Sequence, residues 1–214
     1  MDRDGATRPS VAHDRRRGLH MLGHPYVMGT VIGAIGASAF VLSNRGSLAE
    51  PWSGVALGAY LVALGWYLWA VFWHPRVVPD ISLRRGAGWI YLVSVIGMIA
   101  LIQVGRLALE GIGRLDLAPS LIAVLVGLHF IPFGYGFGAR VFYPLGWSLA
   151  ALGTIGVVAG LLIGSWAAAA GAVLSGVWML TLLGLDAQRS VGDNLATERG
   201  VGQTPSHFPR SQQA

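Results

Sequence analysis

Six apolar stretches, each about 20 residues long and nearly free of charge, make up most of this 214-residue chain. A helix rises about 1.5 Å per residue, so a stretch of this length crosses the roughly 30 Å hydrocarbon core of a bilayer. The pattern therefore predicts an all-α, polytopic membrane helix bundle. The six transmembrane helices are predicted at residues 21–43, 52–73, 88–109, 117–137, 142–163 and 165–185.

The composition leaves little material outside the membrane. Hydrophobic residues make up 54% of the chain and charged residues 12%, against about 25% charged residues in soluble domains. We predict a single six-helix domain at 21–185, with no room for a soluble catalytic domain. Residues 1–20 and 186–214 are polar and lack apolar periodicity, so we predict that both are disordered cytoplasmic tails.

The residue types that the chain lacks exclude several kinds of functional site. All 15 basic residues are arginine, so no lysine is present to form a Schiff base. No cysteine is present to form a disulfide, a thiolate metal site or an iron–sulfur cluster. The net charge of +5 does not indicate nucleic-acid binding, because the arginines are dispersed over tails and loops. We predict no metal, no cofactor and no nucleic-acid partner, and a lipid bilayer as the environment.

The arginines also predict the orientation. Cytoplasmic loops keep positive charge during insertion. Twelve arginines flank the predicted spans on one side, and Arg45, Arg106 and Arg114 lie on the other. Both termini are therefore predicted to face the cytoplasm. The bias towards arginine, alanine and glycine is typical of a GC-rich bacterial genome, which favours the bacterial inner membrane as the compartment.

The first span has two interpretations. Its arginine-rich leader and the small triplet Ala37-Ser38-Ala39 resemble a signal peptide. The apolar run continues through Leu42, which is longer than a signal peptide needs, so we favour an uncleaved first helix. Cleavage would leave five spans.

Polar groups at membrane depth are costly, so they are the first candidates for function. The third span carries a polar stripe near its outer end, in which an arginine and a glutamate are spaced for contact. Its members are Gln103, Arg106 and Glu110. A second group lies towards the cytoplasmic side and consists of His24, His129, Tyr135 and Arg140.

His129 stands in the segment Gly127-Leu128-His129-Phe130-Ile131-Pro132, which is followed by alternating aromatic residues and glycines up to Gly138. This many glycines weaken a helix, so one interpretation is a broken helix or re-entrant turn that lines a cavity. The other is a kinked helix end before a short cytoplasmic loop, with His129 hydrogen-bonded to a neighbouring helix. The segment resembles small, uncharacterised bacterial multi-pass membrane proteins with a Gly-Leu-His-Phe-x-Pro helix. That resemblance covers about 25 residues and implies a fold and a compartment only.

Signatures of better-known membrane sites are missing. No helix carries two histidines at the spacing of stacked haems. His20 and His24 are four residues apart, but they lack the nearby carboxylate of a zinc hydrolase. The serines within the predicted spans lack the Gly-x-Ser-x-Gly setting of a nucleophile.

Small residues at four-residue intervals predict close helix contacts, because helices in lipid associate through backbone approach. In the fifth span these residues are Gly156, Gly160 and Gly164. We expect them to pack inside the bundle. A docking face for a second copy or for another membrane protein is the alternative.

Three functions stay open at this point. The first is small-solute transport or permeation, with the polar stripe as an outer vestibule and His24 and His129 as a gate or proton relay. The second is an accessory subunit of a membrane complex that docks through its glycine faces. The third is a membrane-embedded enzyme or cofactor binder for a lipid-soluble substrate, with His129 as acid or base and Arg140 or Arg85 holding an anionic head group.

Overall fold

The computed structural model describes residues 25–73 and 85–201, and the side chains of 26–73 and 85–189. This part of the chain forms six long helices and no strand. They are α1 (Pro25–Asn44), α2 (Trp52–Leu68), α3 (Ala87–Gly111), α4 (Ala118–Phe137), α5 (Phe142–Leu162) and α6 (Ser165–Val201). Each lies in a helical stretch long and apolar enough to cross a membrane. The predicted fold class and the number of spans are confirmed.

Two helix ends differ from the predicted spans. α2 is followed by a π-helical turn at Trp69–Trp73. α6 continues past the predicted end at residue 185 to Val201, and residues 186–201 contain no proline that would interrupt the helix. The tail predicted from residue 186 therefore begins with helix. Residues 202–214 and the predicted tail at 1–20 lie outside the described residues.

The connections between α3 and α6 are short. A 3-10 turn at Leu115–Leu117 leads from α3 into α4. α4 is followed by Gly138, which has a φ of 64°, and α5 is joined to α6 through Gly164, which has a φ of 135°. Glycine adopts this left-handed region without a steric penalty. Neighbouring helices in this half of the chain therefore run antiparallel.

α6 is the centre of the bundle. It packs against α1, α2, α4 and α5, and 61% of its most apolar window is buried. Its Met179, Leu180 and Leu183 are fully buried, as are Leu145 and Leu149 of α5. By contrast, α3 packs against α4 and the turn before it, and none of its most apolar window is buried. α3 is therefore a peripheral helix.

Glycines bring the backbones of α4, α5 and α6 into contact. A Cβ atom added at Gly127 of α4 would lie 2.6 Å from the Gly146 carbonyl oxygen of α5, and one added at Gly171 of α6 would lie 2.6 Å from Gly156 Cα. One added at Gly160 would lie 2.8 Å from the Cβ of Ala168 in α6. The predicted packing of Gly156 and Gly160 inside the bundle is confirmed, and their face is occupied. Gly164 lies in the turn that follows.

Candidate functional site

Two polar side chains meet between α3 and α4. The Ser94 Oγ on α3 lies 2.7 Å from Nδ1 of His129 on α4 and 3.2 Å from the His129 carbonyl oxygen. The hydroxyl has one proton, so it donates either to Nδ1 or to the carbonyl while accepting from Nδ1–H. In both arrangements His129 is held to α3. Its Nε2 has no hydrogen-bond partner among the described residues.

The α4 backbone lacks one of its own hydrogen bonds next to this pair. Pro132 lies inside the helix and has no N–H for the carbonyl four residues earlier. The Ser94 Oγ lies within hydrogen-bond distance of the carbonyl of the next residue in the same turn, His129. α4 nevertheless continues through Pro132 to Phe137. The structure therefore matches the second interpretation, a helix end before a short loop with His129 hydrogen-bonded to a neighbour, and no re-entrant turn forms.

Aromatic rings surround the Ser94–His129 pair. The Phe133 ring lies 4.3 Å from the His129 ring, centroid to centroid. Tyr91 of α3 stacks on Phe133 at 5.2 Å and meets the edge of Phe137 at 6.5 Å. His129 is half-buried, and 43% of Tyr91 is exposed. The site therefore lies in an aromatic seam that opens towards the surface of the bundle.

Arginines flank one end of this seam. A Cβ added at Gly136, near the end of α4, would lie 3.4 Å from Ile90 near the start of α3. Arg85, just before α3, and Arg140, just after α4, are therefore at the same end of the bundle, and both are exposed. Tyr135 is also exposed, about 120° around α4 from His129 by helix geometry. His24 lies outside the described residues.

The polar stripe lies on another side of α3. Gln103, Arg106 and Glu110 are all exposed, and neither charged residue forms a salt bridge with a described residue. At about 100° per residue, the stripe points almost opposite to Ser94. The polar stripe and the Ser94–His129 pair therefore do not face one common space within a single copy of the chain.

Two further polar contacts were not expected from the sequence. The buried Tyr26 hydroxyl donates to the Asp186 carboxylate, which ties α1 to α6. In the turn between α3 and α4, Arg114 donates to Asp116 at 3.1 and 3.2 Å and to the Gly160 carbonyl oxygen at 2.8 Å. Tyr26 and Asp186 are 160 positions apart, and Arg114 and Gly160 are 46 positions apart, so no local pattern marks these two contacts.

Comparison of the chain with protein-family models, with curated proteins and with solved structures gave no match. The class of the protein is therefore defined by its own fold, which is a six-helix polytopic membrane bundle. Among the described residues, no group of three histidine, aspartate or glutamate side chains could hold a metal ion. The chemistry that the seam itself offers is hydrogen bonding and proton exchange at one imidazole.

Proposed function

We propose that this protein binds a lipid-soluble molecule in the seam between α3 and α4, through Nε2 of His129. The observation that carries the proposal is a half-buried imidazole that is fixed at Nδ1 by Ser94 and has no described partner at Nε2. A polar group at membrane depth is stabilised when a hydrogen bond satisfies it. When the Ser94 hydroxyl donates to Nδ1, Nε2 carries the proton, and a ligand carbonyl oxygen within the hydrocarbon layer would accept that hydrogen bond.

The walls of the seam favour a planar ligand. The Phe133 ring lies 5.2 Å from the Tyr91 ring and 4.3 Å from the His129 ring, centroid to centroid, so the three rings present faces and edges along the seam. Ser94 lies eight residues beyond Gly86, so the pair is about 12 Å from the cytoplasmic end of α3. These features fit a ring carbonyl compound that dissolves in lipid, such as a quinone with an isoprenoid tail. If the ligand is also a substrate, Nε2 is the atom that would exchange a proton with it.

Solute transport through a single copy has less support. The buried polar residues in the described part of the chain are Thr30, Ser53, Ser120 and Ser175. Three of their hydroxyls donate to backbone carbonyls, and the other buried side chains are aliphatic or aromatic, three tyrosines among them. The polar stripe and His129 lie on different sides of α3. These residues therefore do not line one polar path across the bundle.

Photolabelling of the full chain in phospholipid nanodiscs tests the proposal. The probe is an azido-quinone with a short isoprenoid tail, and unlabelled quinone is the competitor. We expect saturable labelling of α3 and α4 peptides around Tyr91 and Phe133. Because one hydrogen bond contributes about 1 kcal/mol, His129→Ala should weaken binding about fivefold.

Ser148→Ala is the matched control, because the Ser148 hydroxyl donates to the Leu145 carbonyl of its own helix. It should leave labelling unchanged. Labelling that unlabelled quinone does not reduce, or that is equal in His129→Ala and in the unaltered chain, would reject quinone binding at this site. Solute flux in liposomes that depends on His129 would instead favour transport.

A further inference from the structure

The outward side of α3 carries a regular repeat of residues that are exposed in a single copy of the chain. Six residues follow one another at alternating intervals of four and three, and all six are exposed. They are Leu92, Ile96, Ile99, Gln103, Arg106 and Glu110, which we call the α3 seam residues. This is the spacing of the positions that meet when two helices pack side by side with a left-handed crossing.

The degree of burial separates α3 from every other described span. None of its most apolar window is buried, whereas each of the other five spans buries at least 33% of its window. Its inner side is occupied, because a Cβ at Gly105 would lie 2.6 Å from the Leu121 side chain of α4. The α3 seam residues lie away from this contact and are not covered by any described residue of the same copy.

The polar residues among the α3 seam residues indicate which kind of molecule packs against them. Within one copy, Gln103, Arg106 and Glu110 are exposed at or near membrane depth, where polar side chains facing lipid are costly. Arg106 and Glu110 carry opposite charges one helical turn apart. A surface that holds both charges is complementary to itself, so two copies related by a twofold axis form a neutral cluster of four charges.

We propose that a second copy of this chain docks on the α3 seam to form a twofold homodimer. Copies inserted with the same topology place their α3 helices parallel. Leu92, Ile96 and Ile99 then meet their equivalents, and Arg106 of each copy pairs with Glu110 of the other. Gln103 hydrogen-bonds across the axis and fixes the register, as one polar residue at such a position does. Ser94 lies on the other side of α3, so this dimer does not depend on ligand binding.

Cysteine cross-linking tests the dimer directly, because the natural chain contains no cysteine. Ile96→Cys and Ile99→Cys are placed singly in the full chain, which is purified, reconstituted in liposomes at high lipid excess and oxidised. Two Cα atoms must come within about 7 Å to form a disulfide. We expect a product of twice the 22.6 kDa chain mass at both positions.

Val93→Cys and Val104→Cys are matched controls. The two valines are 64% and 63% exposed, slightly more than Ile96 and Ile99 at 57% and 52%. They lie about 100–120° around α3 from the seam. At least fivefold less dimer is expected at the controls, and equal yields at all four positions would overturn the proposal. Monodisperse elution of each variant in detergent shows that it is folded.

Charge reversal tests the polar contact. In the Ile99→Cys background, Glu110→Arg should reduce the cross-linked dimer, and the double change Arg106→Glu with Glu110→Arg should restore it. Gln103→Leu should weaken association about threefold, the effect of one average interhelical hydrogen bond in a membrane. The homodimer is rejected if the purified chain never cross-links and cell membranes give only a product whose mass differs from twice the chain mass. That result would show that the partner is a different protein.

Discussion

At the scale of single residues, the same residue type has different roles according to what faces it. A Cβ at Gly127 would meet backbone and Cβ atoms of α5, which lie too close to accommodate it. A Cβ at Gly58 of α2 would meet nothing within 4 Å. Both glycines lie in apolar helical sequence, so the neighbouring helix decides whether a methyl group is tolerated.

Gly127→Ala should lower the free energy of unfolding by about 1–3 kcal/mol, because the added methyl group forces α4 and α5 apart. Gly58→Ala should leave it unchanged or raise it slightly, since alanine favours the helix more than glycine does. Thermal unfolding in detergent, followed by far-ultraviolet circular dichroism, compares the two. Equal stability of both variants would contradict the close α4–α5 contact.

At the scale of helices, the turn between α3 and α4 is fastened to α5 by one side chain. Arg114 holds Asp116 with two of its nitrogens and reaches the Gly160 carbonyl in the last turn of α5, where carbonyls lack partners in their own helix. The hydrogen bond to Asp116 raises the pKa of the Arg114 guanidinium. The Arg114 guanidinium therefore stays charged in the physiological pH range.

Arg114→Ala should lower the melting temperature, because it leaves the Gly160 carbonyl and the Asp116 carboxylate without this donor. Arg45→Ala is the matched change in the turn after α1, where the structure gives Arg45 no side-chain hydrogen bond to another described residue. It should have the smaller effect. An equal change in melting temperature for both variants would show that the hydrogen bonds of Arg114 do not stabilise the fold.

Features of the helices that depend on a single apolar segment of sequence were predicted well, and features that depend on contacts between distant segments were not. The spans were predicted to within a few residues at most ends, because length and apolarity decide insertion segment by segment. The extension of α6 to Val201 was missed because an apolar pattern does not mark a helix made of polar residues. The hydrogen bond of His129 to a neighbouring helix was predicted as one alternative, but its partner Ser94 was not identified, since 35 positions separate them.

At the scale of the whole molecule, the bundle is asymmetric. α6 is surrounded by four helices, whereas α3 lies at the edge against α4. Both proposals follow from this arrangement. The aromatic seam, where we propose that the ligand binds, lies between the peripheral helix α3 and α4. The α3 seam residues, where we propose that a second copy docks, lie on the side of α3 that the rest of the bundle leaves exposed.

The orientation with both termini in the cytoplasm stays a prediction from the arginines, and single cysteines test it. Gly46→Cys and Ile112→Cys, in the turns after α1 and α3, should react with a membrane-impermeant maleimide in intact cells. Arg85→Cys and Arg140→Cys, at the other end of the bundle, should react only after permeabilisation. The reverse pattern would show an inverted bundle and would place the Ser94–His129 pair in the outer half of the membrane.

The sequence alone determined the class of this protein, the number of its spans and the chemistry open to it. Each span satisfies its own backbone hydrogen bonds and partitions into lipid by its own composition, so these properties need no knowledge of neighbours. Only the tertiary structure decided that Ser94 meets His129, that Gly156 and Gly160 face inwards, and that the polar stripe of α3 faces outwards. The reason is that the rotation of each helix depends on the packing of all the others, which no single stretch of sequence encodes.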